Sequence, residues 1–358
     1  MSTLILAFWL SLAGEVLVPL DEDPLRISEE MKQFLETKIG RGGEDLDRLQ
    51  TLVHVVFQEN ALGFSYEPET RTAAGTFNKR GGNCVSFTFL FIAMARQLGL
   101  DARFREVAIV PIWGQVGDLV SISGHVNVAV NIGGQGYAVD LFPQVNRLEL
   151  GGRVVSDDRA LAHFYSNKGV EHLAAGRSQL AIAYFQKAMR IDPTMACAWT
   201  NMGVALTRAG DLQEAEASHQ KALQVEPGDL VAISNLASLY ERLGRDRDAE
   251  RYREKARKLQ EKNPYYHFNL GLRCYLSGQY RESLAHYRTA LKLKPKEHYF
   301  HMALAKAYIR LGEMDKVASC LKQALKNAPD ENAKHRYNEK LDWLLAHHSD
   351  GGLTALKN

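Results

Sequence analysis

The chain has 358 residues, of which 46% are hydrophobic, and its formal net charge is +2 at pH 7. This length provides for two or three domains, each with a core of its own. The nearly balanced charge argues against a binder of nucleic acid or of acidic membranes, and four widely separated cysteines argue against a disulfide-stabilised scaffold.

The chain begins with an apolar run, Leu4 to Leu12, whose end carries small residues, Ser11 and Ala13, at the two positions that a signal peptidase reads. No Lys or Arg precedes the run, and a buried helix or strand is the alternative explanation. The run is too short to span a membrane, and no other stretch approaches the ~18 apolar residues of a membrane span. We therefore expect residues 1–19 to be a signal peptide and lead-in, cut near Gly14, of an exported protein that is periplasmic or membrane-associated. A cytoplasmic protein is the alternative. In either case we expect no integral membrane segment in the mature chain.

Residues 20–155 are predicted to form an α+β domain. Helical periodicity occurs at 27–38 and 43–58, and an apolar helix is predicted at about 85–98, after a polar loop. The segments that follow are rich in β-formers and include a strong glycine turn. The predicted loop is 67–83 and the predicted turn is 133–136. The predicted strands are 103–111, 124–132 and 137–142. Helices followed by an antiparallel meander are typical of the α+β class.

Cys84 lies where a glycine loop, Gly81-Gly82-Asn83, gives way to the apolar helix. The unpaired amides and the positive dipole end of a helix start favour a thiolate over a thiol, which makes a cysteine nucleophilic near neutral pH. The same amides can hold a developing oxyanion. The alternative is a small buried side chain, which is the commoner use of a single cysteine at a helix start.

His125 begins the first arm of the predicted hairpin, and Asp140 lies near the end of the second arm, 15 residues later. Adjacent strands would place the two side by side, so that the imidazole takes the thiol proton and the carboxylate fixes the tautomer of the imidazole. A single histidine in a strand is usually structural. The order Cys, His, Asp at these spacings favours a catalytic triad.

Three segments around these residues resemble the transglutaminase-like superfamily. They are Gly82-Asn83-Cys84, which opens a helix that ends in Ala95-Arg96-Gln97-Leu98-Gly99, then Gly124-His125-Val126-Asn127-Val128, then Tyr137-Ala138-Val139-Asp140. The resemblance covers roughly residues 45–145. It implies a papain-like fold with Cys84 as nucleophile, His125 as general base and Asp140 as the orienting residue.

The resemblance leaves the reaction open. Members of this family hydrolyse peptide or amide bonds, or transfer an acyl group from a glutamine side chain to an amine, with the same triad. A further oxyanion donor is often supplied upstream of the cysteine. Asn78 and Gln58 are the candidates here, although a loop or surface role is the commoner explanation for either residue.

From about residue 160 the chain repeats with a period of 34 residues, which is the tetratricopeptide period. Prolines, glycines and alanines recur at this spacing: Pro193, Pro227, Pro295 and Pro329; Gly169, Gly203 and Gly271; Ala188, Ala222, Ala256, Ala290 and Ala324. Large residues such as Phe185 and Tyr287 occupy complementary positions, so that paired helices interlock. The third and fifth repeats carry Ala237 and Ala305 in place of the glycine.

These segments therefore look like five tetratricopeptide repeats, which form an all-α solenoid after the α+β domain. The repeats are predicted at 162–195, 196–229, 230–263, 264–297 and 298–331, with a capping helix at 332–348 and a tail at 349–358. Cys197, Cys274 and Cys320 fall in repeat helices, where we expect them to be small buried side chains.

An asparagine recurs at the sixth position of the first helix in repeats one to four: Asn167, Asn201, Asn235 and Asn269. In arrays that resemble this one, the position faces the concave groove, where an amide can both donate to and accept from the backbone of an extended peptide. Asparagine as a merely favoured residue at this position is the alternative. The expected partner is a protein or an extended peptide in the repeat groove.

The sequence predicts no cofactor and no metal. His298 with His301, and the adjacent His347 and His348, lack the further ligands of a zinc site. Our first hypothesis is cysteine-dependent acyl chemistry on a protein or peptide, with the repeats recruiting the substrate. A noncatalytic interaction scaffold is the second, and chemistry on cell-wall peptides or other nonribosomal amides is the third.

Overall fold

The computed structural model describes residues 23–347, except 41, 59, 110–112, 117–118, 123–124, 142–148 and 329–330. The chain forms two compact units, Met1–Tyr252 and Arg253–Asn358. The predicted signal at 1–19 and the tail at 349–358 lie outside the described residues. None of the described helices combines the length and hydrophobicity that crossing a membrane requires.

Four helices open the first unit: α1 (Glu29–Lys38), α2 (Asp45–Phe57), α3 (Ala73–Lys79) and α4 (Cys84–Gln97). Side chains cap three of them, because Ser28, Thr72 and Asn83 accept from the backbone N–H groups that a helix start leaves unpaired. The segment predicted as a loop at 67–83 is therefore wrong in part, since it contains α3. A short polar helix capped by Thr72 has too few apolar residues for its periodicity to be visible.

An antiparallel sheet follows, whose strands are β3 (Asp101–Ile109), β6 (His125–Ile132), β7 (Gln135–Val139) and β8 (Glu149–Val155). Their order across the sheet is β7-β6-β3-β8. Two glycines, Gly133 and Gly134, both with positive φ, form the two-residue turn between β6 and β7. The predicted meander is confirmed, whereas β8 was missed.

Two smaller pairs of strands complete this part of the fold. β1 (Ser65–Tyr66) pairs in parallel with β2 (Gly81–Gly82), and β4 (Trp113–Val116) pairs in antiparallel orientation with β5 (Leu119–Ile122). The sequence did not predict either pair.

The core of the α+β part is α4, which packs against β3 and β6. All eleven residues from Val85 to Ala95 are buried. A helix that is apolar on every side must be enclosed, and here Phe89 lies 4.8 Å, ring centre to ring centre, from Phe104 on β3. The nucleophile candidate thus begins the most deeply packed element of this region.

The remaining helices of the first unit follow as antiparallel pairs. They are α5 (Asp157–Ala174), α6 (Ser178–Ile191), α7 (Ala196–Ala209), α8 (Leu212–Val225) and α9 (Leu230–Arg242), followed by α10 (Asp246–Lys262), which runs from the first unit into the second. Within the predicted repeats, the glycines lie at close helix crossings as expected. A Cβ added at Gly169 would lie 2.5 Å from the Phe185 ring.

The second unit continues with α11 (Pro264–Leu276), α12 (Tyr280–Leu293), α13 (His298–Leu311), α14 (Met314–Lys326) and α15 (Glu331–His347). α15 agrees with the predicted capping helix, and its Tyr337 packs against Ala324. Cys274 and Cys320 are half-buried in this unit, but Cys197 is exposed on α7. The expectation that all three cysteines are buried is therefore wrong for Cys197.

Candidate active site

Cys84 is the first residue of α4 and is half-buried, so its thiol lies at the start of a helix with access to solvent. The preceding glycine permits this turn, because a Cβ at Gly82 would lie 2.4 Å from the Cβ of Ser86. No larger residue fits there without moving the first turn of α4. The predicted placement of the cysteine at a loop-to-helix junction agrees with the structure.

His125 and Asp140 lie together at one end of the sheet. His125 begins β6, Asp140 directly follows β7, and the strands pair through Val128 and Val139. His125 Nε2 lies 2.7 Å from Asp140 Oδ2, and the two residues are only 8% and 5% exposed. The carboxylate therefore occupies Nε2 and leaves Nδ1 as the ring nitrogen for the thiol.

The pKa of His125 is raised to about 9. Burial acts to lower this pKa, but it is outweighed by the hydrogen bonds to Asp140 and Cys84 and by the negative charges on both groups. The structure thus brings the three predicted residues together, with Asp140 and Cys84 on either side of the imidazole. A raised pKa favours the protonated, imidazolium form of His125.

Asn127 is a member of the site that residue-type reasoning missed. It lies two residues after His125 on β6, is fully buried, and donates from Nδ2 to Asp140 Oδ2 at 3.0 Å. Its Oδ1 has no partner among the described residues. Its alternation with His125 along the strand is the signal that could have identified it, since residues i and i+2 share a face of a strand.

A second hydrogen-bonded group supports the nucleophile from the loop before α3. Asn83 accepts through Oδ1 from the Ser86 backbone N–H at 3.0 Å and donates through Nδ2 to Thr70 Oγ1 at 2.7 Å. Ser86 Oγ in turn accepts from the Arg71 backbone N–H at 2.9 Å. These bonds tie the first turn of α4 to residues 68–71, so the position of Cys84 depends on that segment.

The two candidates for a further oxyanion donor are not brought to the triad. Asn78 is exposed on α3, and Gln58 is half-buried just after α2. Among the described residues, neither makes a hydrogen bond to Cys84, His125 or Asp140. The backbone N–H of Cys84 itself, at the start of α4, is the donor that the fold provides.

The four repeat asparagines differ in how exposed they are. Asn235 on α9 is 1% exposed, and the neighbouring strand β5 passes within 8 Å of α9, measured between Cα atoms. A peptide could therefore reach this amide only by displacing what covers it. Asn167, Asn201 and Asn269 are half-buried, and Asn201 Nδ2 donates weakly to Ser166 Oγ at 3.4 Å.

The histidine pairs considered for a metal have other contacts. His298 Nδ1 lies 2.7 Å from the Tyr337 hydroxyl, and His301 Nε2 lies 3.0 Å from the backbone oxygen of Pro295. His347 and His348 lie at and beyond the end of the described residues. Over the described ranges, no group of three or more His, Cys, Asp or Glu side chains is arranged to hold a metal ion.

A cysteine at a helix start, facing a His–Asp pair on adjacent strands, is the arrangement of a papain-like thiol site. Comparison with protein families agrees: residues 32–139 match the transglutaminase-like superfamily. Residues 162–195, 194–262 and 275–336 match tetratricopeptide-repeat families. The chain therefore carries a transglutaminase-like domain fused to tetratricopeptide repeats.

No curated protein matches the chain. Solved structures that resemble it are repeat proteins. The Cut9–Hcn1 hetero-tetramer of the APC/C is 20% identical over 54% of this chain and 38% of that chain, with a TM-score of 0.28. MamA from Desulfovibrio magneticus RS-1 is 20% identical over 48% of this chain and 96% of its own, with a TM-score of 0.28. YrrB, described as a tetratricopeptide-repeat protein with an unusual peptide-binding site, is 20% identical over 50% of this chain and 92% of its own, with a TM-score of 0.27.

Proposed function

We propose that the chain is a cysteine-dependent acyl enzyme, which cleaves an amide of a protein or peptide and passes the acyl group to water or to an amine. The observation that carries the proposal is the buried His125–Asp140 pair, with Nε2 held at 2.7 Å by the carboxylate and the pKa of the imidazole raised by Asp140 and Cys84. A purely structural histidine would not need a half-exposed thiol as its second partner.

The arrangement supports a two-step reaction. The Cys84 thiolate attacks the amide carbonyl carbon and forms a C–S bond, while the backbone N–H of Cys84 stabilises the oxyanion. The imidazolium of His125 gives its proton to the leaving nitrogen as the C–N bond breaks, which leaves a thioester. Water or an amine then attacks the thioester, His125 takes a proton from it, and Cys84 leaves as the thiolate.

The first test is the rate of Cys84 alkylation by iodoacetamide as a function of pH, followed by mass spectrometry. We expect rapid alkylation at about pH 6 in the wild type, because a thiolate–imidazolium pair persists there. The rate at that pH should fall by at least about tenfold in His125→Ala and in Asp140→Ala. Cys274, which is half-buried as Cys84 is, serves as an internal reference in the same digest.

One result of this experiment would contradict the proposal. If Cys84 reacts no faster than Cys274 at about pH 6, and both variants match the wild type, then the thiol is not activated. The protein would in that case be an interaction scaffold whose papain-like domain has no acyl chemistry.

The repeats carry the second part of the proposal, which is the recruitment of a protein or extended peptide. Asn167 and Asn201, on the first helices of two successive repeats, are the amides that remain half-exposed in the first unit. An Asn167→Ala/Asn201→Ala variant should keep its helical circular dichroism and bind more weakly to members of an array of unstructured decapeptides. The exposed Asn78, changed to Ala, is the matched control. Equal binding by all three proteins would remove the asparagines from the proposal.

Export of the protein is also a proposal, based on the apolar run Leu4–Leu12. Its test is the intact mass of the protein recovered from cells that express the whole sequence. Cleavage near Gly14 would support export and would favour extracytoplasmic amides, such as cell-wall peptides, as substrates. An uncut N-terminus in the cytoplasmic fraction would favour the cytoplasmic alternative.

A further inference from the structure

The first repeat helix runs antiparallel to the nucleophile helix. At one end, Arg96 near the end of α4 makes two hydrogen bonds, of 2.6 and 2.8 Å, to Asp157 at the start of α5. In the middle, the rings of Phe89 and Phe164 lie 5.4 Å apart, centre to centre. The last turns of α5 therefore lie near the start of α4, where Cys84 is.

At that end, α5 holds one residue of the α+β domain through both of its backbone groups. Glu171 Oε1 accepts from the Thr70 N–H at 2.5 Å, and Lys168 Nζ donates to the Thr70 carbonyl oxygen at 3.0 Å. Lys168 and Glu171 also pair with each other at 3.2 Å. Thr70 is 1% exposed, so these two side chains satisfy backbone groups that water cannot reach.

Thr70 is in turn one bond away from the cap of the nucleophile helix. Its hydroxyl accepts from Asn83 Nδ2 at 2.7 Å, and the same amide group donates to the Pro68 carbonyl at 3.2 Å. Asn83 Oδ1 then caps α4 through Ser86. A continuous series of hydrogen bonds therefore leads from the first repeat to the residue that precedes Cys84.

The chemical nature of this contact indicates more than domain docking. Phe164 already supplies apolar burial between the two helices. Two charged side chains that are only 21% and 26% exposed instead bind the backbone N–H and C=O groups of one residue, Thr70. Charge-assisted hydrogen bonds are directional, so they fix the orientation of the backbone on both sides of Thr70, whereas apolar packing does not.

We infer that Lys168 and Glu171 are positioning residues for Cys84, so that the reactivity of the thiol depends on the first tetratricopeptide repeat. The inference rests on the proposed thiol function and adds a form of control to it. Any partner that moves the last turns of α5 would change the orientation of the Cys84 thiol and of its backbone N–H.

The experiment compares variants at the two ends of the same helix. Glu171→Ala should lower the rate of Cys84 alkylation by iodoacetamide by about tenfold, the scale of a small misplacement of a reacting group. Glu171→Gln keeps an acceptor for the Thr70 N–H, and Lys168→Arg keeps a donor for the Thr70 carbonyl. Both variants should therefore retain most of the wild-type rate of Cys84 alkylation. Asp157→Ala, which removes the pair with Arg96 at the far end, should leave the rate unchanged.

Hydrogen exchange of the peptides that cover residues 68–87 provides a readout that does not need a reactive thiol. Exchange there should accelerate in Glu171→Ala and not in Asp157→Ala. An unaltered exchange rate in Glu171→Ala, or an equal loss of alkylation in Glu171→Ala and Asp157→Ala, would overturn the inference. A further outcome is that Cys84 reacts no faster in the wild type than in His125→Ala while hydrogen exchange at residues 68–87 still accelerates in Glu171→Ala. In that case the proposed function fails, but the coupling between the first repeat and the start of α4 is supported.

Discussion

A single carboxylate oxygen organises the thiol site. Asp140 Oδ2 accepts from Asn127 Nδ2 at 3.0 Å and lies 2.7 Å from His125 Nε2. Both bonds are shielded from water, because Asn127 and Asp140 are almost fully buried. The second donor prevents the carboxylate from rotating away, so the tautomer and direction of the imidazole depend on an amide that takes no part in the chemistry.

This arrangement predicts the effect of replacing Asn127 by leucine, which has a similar volume but no donor. Asn127→Leu should lower the free energy of unfolding by about 2 kcal/mol, because a buried carboxylate loses a hydrogen bond. It should also reduce the rate of Cys84 alkylation near neutral pH. The control is Asn131→Leu, at the exposed end of the same strand. Equal alkylation rates in both variants would show that Asn127 has only a packing role.

The triad could be predicted from the sequence, because Cys84, His125 and Asp140 each carry a distinct chemistry and occur in a characteristic order. Thr70 could not, because its role follows from a hydrogen bond to Glu171 that crosses 101 residues and leaves no local pattern in the chain. Asn127 was missed, although its spacing of two residues from His125 on one strand is a local signal.

His219 is a buried residue that the site does not use. Its ring packs against Gly203, in the position where the first and fourth repeats place the rings of Phe185 and Tyr287. It is 0% exposed, and neither ring nitrogen has a partner among the described residues. Burial lowers the pKa of His219 to about 4.

This residue should make the first unit sensitive to acid. In the unfolded chain the histidine has a pKa of about 6.5, so between that pH and about 4 the unfolded state binds the extra proton. The contribution of the neutral His219 ring to the free energy of unfolding is therefore fully present above the pKa of the unfolded chain. It declines, by about 3 kcal/mol in all, as the pH falls towards the pKa of His219 in the folded protein.

The measurement is the difference in melting temperature between wild type and His219→Phe at several pH values. The variant should be more stable throughout, and the difference should widen below about pH 6.5. Phe185→His, which places the same ring in the first repeat, should introduce a similar acid dependence there. A pH-independent difference between wild type and His219→Phe would contradict this account.

At the scale of elements, helix pairing follows a size rule within this one chain. Where the second helix carries a ring, 16 residues after the crossing position, the first helix carries glycine, as in Gly169 with Phe185 and Gly271 with Tyr287. In the fifth repeat the crossing residue is Ala305, and the residue 16 positions later is Leu321. In the third repeat the crossing residue is Ala237 and the residue 16 positions later is the exposed Arg253, so in both repeats alanine occurs where the second helix supplies no ring.

Gly169→Ala should therefore destabilise the first repeat by about 1–3 kcal/mol, since the added Cβ would press on the Phe185 ring. Adding Phe185→Leu should recover part of that loss, although Phe185→Leu alone should destabilise. Thermal melts of the two single variants and the double variant form a double-mutant cycle. Additive effects would mean that the glycine is required for a reason other than the ring.

The accuracy of element prediction follows the length and polarity of each element. The repeat helices were predicted because burial of one face imposes a visible period, and α4 was predicted from the length of its continuous apolar run. The seven residues of α3 were not, since a polar helix held by one cap looks like a loop. β8 was missed because its pairing with β3 is a long-range contact and its Gly151-Gly152 lowers its strand propensity.

At the scale of the whole molecule, the α+β domain does not end where its family resemblance ends. α5 belongs by sequence to the first repeat, yet Ala160, Ala162 and Phe164 are buried in one continuous core with α4. Together with Lys168 and Glu171 on Thr70, this makes the first repeat a part of the folded domain. The first compact unit accordingly runs through Tyr252.

A chain that ends at residue 155 should therefore fail to fold cooperatively, although it contains the complete triad. It would expose the side of α4 that Phe164 covers and would leave both backbone groups of Thr70 without their partners. Phe164→Ala in the full chain tests the apolar part alone and should lower the free energy of unfolding by about 3–5 kcal/mol. A chain that ends at Lys262, after α10, keeps these contacts and should melt cooperatively.

The measurement is thermal unfolding followed by circular dichroism, with Cys84 alkylation as the second readout. If the chain ending at residue 155 melted cooperatively and alkylated Cys84 at the wild-type rate, the first repeat would contribute neither to the fold nor to the site. If instead only the longer chain keeps both properties, the repeats are joined to the thiol domain by a shared core, and a partner that binds the first repeat acts on the same folded body that holds the triad.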